Sequence, residues 1–424
     1  MTAQPTELVQ IEKPVYGGAF LARVAGKAVF VPLTLPGEQV RVRITQDKRG
    51  YSTAEAEEIV IASPQRVAPG CRHFGVCGGC SYQHTDYVTQ LALKQAILRE
   101  TLERGGVPAP AEIAVLSAEP WGYRNRIRLA FDAQGNPCYR GRRSHAVVPI
   151  NECPIAAPLL VDAAMTAAEI LRRMHQRPAE VSLFCDVQET AVLVSIMTAN
   201  PAKAQVDDFA RTLNERIPAL RGVEFVTEGL AGRQPRTVAR WGALFLSYRA
   251  AGFDYRVDQG AFFQVNRRLV DALVDRVTVG CKGTLAWDLF AGVGLFARRL
   301  AASFERVVAV ESAPAAMAAL EANLSGTAGV AVRADALAFL GKRHMERPDL
   351  IVVDPPRTGL GAEMTALLSA VAAPEMVYVS CDPATLARDL QKLVSSRYNI
   401  ECVTLADLFP QTFHLETVVH LRRA

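Results

Sequence analysis

Cys381 ends the run Val377-Tyr378-Val379-Ser380 and is followed by Asp-Pro-Ala-Thr-Leu. A cysteine at the end of a strand can act as a covalent nucleophile if its site favours the thiolate. An inert buried thiol is the competing reading. A second group, Cys71, Cys77 and Cys80, is closely spaced, with Gly75, Gly78 and Gly79 letting the loop wrap tightly. Four thiolates would suit either zinc or iron–sulfur, and five residues between the first two cysteines is slightly long for a zinc pair. A third feature is Asp288-Leu289-Phe290-Ala291-Gly292-Val293-Gly294, in which the glycines let backbone approach a ligand closely. Glu311 ends the next strand-like run about twenty residues on, where an acid can bind ribose hydroxyls. The dinucleotide fingerprint fails, because Ala297 stands where its third glycine would be. One Gly-rich turn, one acid after the second strand and a later Asp354-Pro355-Pro356 fit S-adenosylmethionine better.

These residues need elements to position them. In the C-terminal part, strand-like runs alternate with helical stretches: TLAWDLF, RVVAVES, VAVRADA, DLIVVDPP, EMVYVSCD, NIECVTLADLF and ETVVHLRR. Seven strands with helices between the early ones predict an α/β, doubly wound, mostly parallel sheet whose ligand lies at the carboxyl ends of the strands. Residues 8 to 60 read as five short strands broken at Gly17-Gly18, Ala25-Gly26 and Pro36-Gly37, which predicts a small closed barrel of the oligonucleotide-binding kind. SPQRVAP (63–69) is a linker into the cysteine-rich loop. From Asp86 to Gly105 the spacing of Leu91, Ile97, Leu98 and Leu102 predicts a helix. RIRLAFD, SLFCDV, TAVLVSIMT, GVEFVTEG and TVARWGALFLSYR predict a mixed α/β middle region. The expected division is 1–62 for the barrel, 63–84 with 118–252 for a central domain, and 85–117 with 253–424 for the sheet domain.

With 424 residues, half of them hydrophobic, the chain has the makings of a multidomain globular protein. The net charge of +4 argues little. Its distribution says more: Arg124, Arg126, Arg128, Arg140, Arg142 and Arg143 face a single nearby acid, Asp132. Such a stretch is either an electrostatic footprint for a polyanion or a solvated hairpin face. MTAQPTELVQ shows no basic and apolar leader pattern, so a cytoplasmic address and reduced thiols are expected. Cys138, Cys185, Cys281 and Cys402 have no evident partners and are expected in the core.

FFQVN (262–266), DLFAGVGLFA (288–297), DPPRTG (354–359), SCDPATLARD (380–389) and HLETVVH (414–420) occur in that order. Together they resemble the RNA 5-methyluridine methyltransferases, the group containing the 23S rRNA and tRNA (uracil-5-)-methyltransferases. YGGAFLARVAGKAVFVPLTLPGEQVRV resembles the TRAM domain of the rRNA enzymes. Cys71, Cys77, Cys80 and Cys153 match the C-x5-C-x2-C…C arrangement of members with a 4Fe–4S cluster. The resemblance covers nearly the whole chain. One departure is Asp382, where the family usually carries Asn.

The resemblance implies a Rossmann-like S-adenosylmethionine-dependent fold, with Cys381 as nucleophile and Glu416 as the base that removes the carbon 5 proton. It implies cofactor contacts from Gln264, Asp288, Phe290, Gly292, Gly294, Glu311, Asp335 and Asp354, with Asp354 facing either the uracil or the cofactor. The metal ligands would be Cys71, Cys77, Cys80 and Cys153, and the cofactors S-adenosylmethionine and 4Fe–4S. Phe263 reads equally as core or as a base-stacking ring. Arg357 after Asp-Pro-Pro, where amine methylases favour an aromatic, argues against that rival chemistry. A radical mechanism lacks its C-x3-C-x2-C signature. The expected partner is single-stranded or looped RNA, bound by a monomer, with the target base out of its stack. The readings in order are 23S rRNA methylation, tRNA methylation, and a non-catalytic RNA-binding protein.

Overall fold

Alternating apolar side chains decide the layers of the C-terminal sheet. Trp287, Leu289, Ile351, Val353, Met376, Tyr378, Val419 and Leu421 pack on one face of it, and Ala286, Val352, Val377, Val379 and Val418 on the other. Successive strand residues point to opposite faces, so a run apolar at every position must be covered on both. In this computed structural model, which describes residues 6–176, 178–198, 203–227, 236–343 and 346–424, helices do cover both. Tyr87–Arg104, Gly361–Val371 and Pro383–Ser395 lie over the first face; Val270–Thr278, Leu295–Leu300 and Pro314–Leu324 lie over the second.

The strand order is Gly329–Arg333, Phe304–Glu311, Gly283–Leu289, Leu350–Val353, Glu375–Ser380, Glu416–Arg423, Tyr398–Ala406 and Ala114–Leu116. The first five run parallel, and Glu416–Arg423 is antiparallel to both its neighbours. The strand order reverses between Gly283–Leu289 and Leu350–Val353, so a crevice is expected outside their carboxyl ends. Seven of these strands match the sequence pattern. The eighth, Ala114–Leu116, pairs parallel with Tyr398–Ala406 and is contributed from far upstream. The predicted helix over Asp86 to Gly105 is Tyr87–Arg104, capped by Asp86, whose carboxylate accepts from the Thr89 amide.

The N-terminal sheet has six strands, one more than expected: Thr6–Gln10, Gln39–Asp47, Tyr51–Ile61, Lys27–Pro32, Ala19–Val24 and Lys13–Val15, in that spatial order. Its two edge strands are consecutive in sequence with two residues between them, so the sheet curls back on itself. LVQIEKPV is divided there because Ile11 bonds to Glu38 and Gly37 instead of extending the strand. Tyr82 and Leu93 from beyond the barrel pack into its core beside Phe20, Val31 and Val40.

The middle region forms a seven-stranded sheet, Val147–Pro149, Pro137–Arg140, Arg126–Phe131, Glu180–Cys185, Val192–Met197, Leu220–Thr227 and Arg236–Gly242. Helices Pro158–Arg173 and Lys203–Arg216 cover its apolar face. The segment TVARWGALFLSYR is two strands in two sheets, Arg236–Gly242 and Phe245–Ala250, divided at Gly242 with φ +70°. A Cβ at that glycine would lie 2.2 Å from the Arg221 carbonyl oxygen, so the break requires glycine. The end of GVEFVTEG lies outside the described residues. Among the described residues no helix is long and apolar enough to cross a membrane.

Candidate active site

The parallel strands bring their carboxyl ends to one edge, and the antiparallel neighbour starts at that same edge. Asp354 follows Leu350–Val353, Cys381 follows Glu375–Ser380, and Glu416 opens Glu416–Arg423. Ser380 is paired with Thr417 across the sheet. The expected nucleophile and base and the acid expected to face the uracil or the cofactor therefore converge although the chain separates them widely.

Their electrostatics show how close they are. Burial, then the Glu416 and Asp354 carboxylates, push the Cys381 thiol up to about 11, and Arg357 opposes them. Glu416 is 5% exposed. Burial first and Asp354 second hold its carboxyl well above the usual range, again against Arg357. Burial also raises Asp354 to about 7. Two acids and a thiol thus lie together, with the Arg357 guanidinium opposing them, a setting in which each group's proton affinity depends on the others.

Sequence reasoning gave Arg357 no site role, although its place directly after Asp-Pro-Pro was a usable signal. Its Nη2 donates to His414 Nδ1 at 3.1 Å. Burial, with Arg357 second, lowers that ring to about 4, so it is neutral and accepts.

The loop leading into Glu416 is pinned from behind by helix Tyr87–Arg104. Lys94, fully buried, donates to Asp407 at 2.6 Å and to the Phe409 carbonyl at 3.0 Å, while the Tyr87 hydroxyl takes the other Asp407 oxygen at 2.9 Å. Gln90 exchanges two bonds with Gln411. Asp382 caps helix Pro383–Ser395, its carboxylate accepting from the Ala384 and Thr385 amides at 3.0 Å each. Asn and Asp cap helices equally well, so the departure from the family residue costs the loop nothing as a cap.

At the glycine turn, Phe290, Gly292 and Gly294 all take positive φ, +67°, +55° and +87°. A Cβ on Gly292 would meet nothing within 4 Å, leaving open space for a ligand against bare backbone. Asp288 Oδ2 accepts from the Ala297 amide at 2.9 Å, while Oδ1 is buried without a partner. Burial raises that carboxyl to about 8, with Asp354 and Glu311 adding to it. Glu311 accepts from the Gly292, Ser312 and Ala313 amides, so it braces the turn. Asp335 is exposed and caps the helix that follows through the Ala338 amide. Gln264 is buried, and its carbonyl accepts from Asn125 at 2.9 Å. An orphaned Asp288 oxygen and an open glycine turn fit S-adenosylmethionine. Phe263 is core, packed on Tyr248 and Phe184, whereas its neighbour Phe262 is 67% exposed.

Cys71, Cys77, Cys80 and Cys153 wall a single cavity of ≈ 90 Å³ with Arg124, Tyr139 and Gln83. Burial pushes the Cys80 thiol up to about 12, and the other three thiols contribute to it. Among the described residues no three His, Cys, Asp or Glu side chains meet closely enough to hold a metal ion. Arg124 Nε is buried there without a partner, and Tyr139 donates to Cys153 Sγ at 3.7 Å. Cys138, Cys185 and Cys281 are buried as expected; Cys402 is only half-buried and accepts from Arg276.

The arginine stretch divides. Arg128, Arg140, Arg142 and Arg143 line a groove of ≈ 470 Å³ between the barrel and the central sheet. Arg126 instead lies over the Phe184 ring at 4.4 Å and donates to the Ala261 carbonyl, and Arg124 faces the cysteine cavity. Strand alternation places Arg126 and Arg128 on one face, but the hairpin Phe245–Ala250 and Phe253–Asp258 with its following turn covers only Arg126.

Residues 343–424 match the model of the tRNA (Uracil-5-)-methyltransferase family, and residues 5–56 that of the TRAM domain. An uncharacterized RNA methyltransferase of Thermotoga maritima is 31% identical, over 98% of each chain. The 23S rRNA (uracil(1939)-C(5))-methyltransferase RlmD of an Azoarcus species is 35% identical over 97% of this chain and 99% of its own. The protein of that name from Halomonas elongata is 33% identical over 98% and 89%. The crystal structure of Pyrococcus abyssi tRNA (uracil-54, C5)-methyltransferase in complex with S-adenosyl-L-homocysteine has the same fold. It superimposes with a TM-score of 0.79 at 24% identity, covering 98% of this chain and 100% of that one.

Proposed function

The chain belongs to the RNA (uracil-5-)-methyltransferase family and is an S-adenosylmethionine-dependent enzyme of that class, and we propose that it methylates carbon 5 of a uridine in 23S rRNA. The observation that carries the chemistry is the convergence of Cys381, Asp354 and Glu416 at one end of three adjacent strands. Carbon 5 of uracil is a weak nucleophile. Cys381 adds to carbon 6, and the resulting enolate takes at carbon 5 the electrophilic methyl group that S-adenosylmethionine supplies. Glu416 then removes the carbon 5 proton, and the electron pair left behind expels the Cys381 thiolate. Once ionised, a carboxyl with raised proton affinity is the stronger base for that step. Asp354 holds the edge of the uracil or the cofactor. Gln264, Asp288, Phe290, Gly292, Gly294, Glu311 and Asp335 form the cofactor side of the cleft.

Cys71, Cys77, Cys80 and Cys153 hold a 4Fe–4S cluster in this reading. A cavity walled by four thiols, with Arg124, whose Nε is buried without a partner, beside them to offset their negative charge, suits a group of several atoms. Its role is to fix the loop 71–80 beside the basic groove. Arg128, Arg140, Arg142 and Arg143 then contact phosphates, and affinity depends on salt accordingly.

The names of two full-length relatives support 23S rRNA, while the tRNA family model and the archaeal tRNA enzyme support a tRNA target as the second reading. Mapping 5-methyluridine in rRNA and tRNA from cells lacking the gene tests the substrate. Loss from 23S rRNA is the expected result. Loss confined to tRNA would move the target to tRNA. Loss from neither, with purified protein that binds RNA and leaves it unmethylated, would leave only an RNA-binding protein.

A further inference from the structure

The N-terminal barrel touches the nucleophile loop itself. Tyr16 lies in the turn between Lys13–Val15 and Ala19–Val24. Its ring meets Phe413 edge-on, centroids 6.0 Å apart. Its hydroxyl donates to the Cys381 carbonyl oxygen at 3.4 Å, across 365 residues of chain, and the nearby Asp382 carboxylate acts on it electrostatically. Other contacts seat the barrel independently: Lys13 pairs with Glu100 at 2.7 Å, and Gly18 packs so closely on Phe413 that a Cβ would lie 3.2 Å from the ring. The hydroxyl therefore adds little to docking. Its partner Cys381 lies, with Asp382, between strand Glu375–Ser380 and helix Pro383–Ser395, where the backbone direction decides where the thiol points.

We propose that Tyr16 is a positioning residue for the methyl transfer: its hydroxyl, delivered by the RNA-binding barrel, fixes the Cys381–Asp382 backbone so that the thiol is presented to the target base. The proposal rests on the reading of Cys381 as nucleophile. A carboxylate offers only acceptors and a carbonyl likewise, so the phenol must remain a donor. Burial, followed by the Asp382 carboxylate, holds it protonated. Seating the barrel on RNA and aligning the nucleophile thus become one event, because the barrel cannot shift without moving Tyr16.

The test uses the full-length protein and RNA carrying 5-fluorouridine, in which fluorine replaces the carbon 5 proton and the covalent adduct is trapped. Tyr16→Phe keeps the ring on Phe413 and deletes only the hydroxyl. It should slow adduct formation and kcat about five- to tenfold, the scale of one hydrogen bond, with KM for RNA and melting temperature unchanged. An unchanged trapping rate would overturn the proposal. So would a slower rate accompanied by a lower melting temperature and weaker RNA binding, which marks a docking role alone. Cys381→Ala is the control: continued methylation by it would overturn the nucleophile reading, and the Tyr16 role with it.

Discussion

Glu416→Gln takes one carboxylate out of a buried cluster without changing its volume, and its effects on two steps should have opposite signs. Glu416 is, after burial, the largest influence raising the Cys381 thiol, which stands at about 11. A unit charge a few ångströms away through an effective dielectric near 20 is worth on the order of 1–4 kcal/mol. Removing it should therefore ease ionisation of Cys381 by about tenfold or more. A thiol whose pKa falls loses its proton at lower pH, so the alkaline limb of its reactivity must move toward neutrality. The later step responds the other way. Losing a general base costs about 10²–10⁴ in rate, so turnover should collapse while methylated RNA accumulates on the protein as an adduct stable to denaturing electrophoresis. The first effect is read by alkylating the free protein with iodoacetamide between pH 7 and 11 and quantifying the Cys381 peptide by mass spectrometry. A limb that stays in place or moves to higher pH would refute the electrostatic coupling. Normal turnover would refute Glu416 as the base.

Protein purified without oxygen should be brown, with about four iron and four sulfide per chain; Cys153→Ser should abolish both, and Cys138→Ser neither. Stoichiometric zinc with no visible absorption would refute the cluster. Neutralising two of Arg128, Arg140, Arg142 and Arg143 should weaken RNA binding and flatten its salt slope by roughly one unit per lost contact, whereas unchanged binding would make the groove a solvated face. Lys94→Met should cost about 3–5 kcal/mol in denaturant unfolding, because Asp407 is left charged with no counterion in a fully buried site. A loss under 1 kcal/mol would mean the pair does not hold the Glu416 loop.

The sequence by itself determined everything that depends on neighbours a few residues apart. Asp86 followed by helically spaced Ile97, Leu98 and Leu102 specifies a capped helix, and seven apolar runs specify strands, the central ones covered on both faces. The glycine turn of Gly292 and Gly294 and the cysteine spacing are local in the same sense. Resemblance supplied the pairing of Cys381 with Glu416, which no local period encodes. The tertiary structure alone decided which equivalent-looking residues do which work. Arg126 and Arg128 read identically along the chain, yet one lies over the Phe184 ring and the other lines the groove, because only the first is covered by the neighbouring hairpin. Phe262 and Phe263 divide between surface and core for the same reason. Ala114–Leu116 is too short to announce itself, and becomes a strand only because Tyr398–Ala406 offers it an open edge. Tyr16 carries no signal in its own turn. It becomes a partner of Cys381 through the docking of one sheet against another, a long-range contact that periodicity of 2 or 3.6 residues cannot specify.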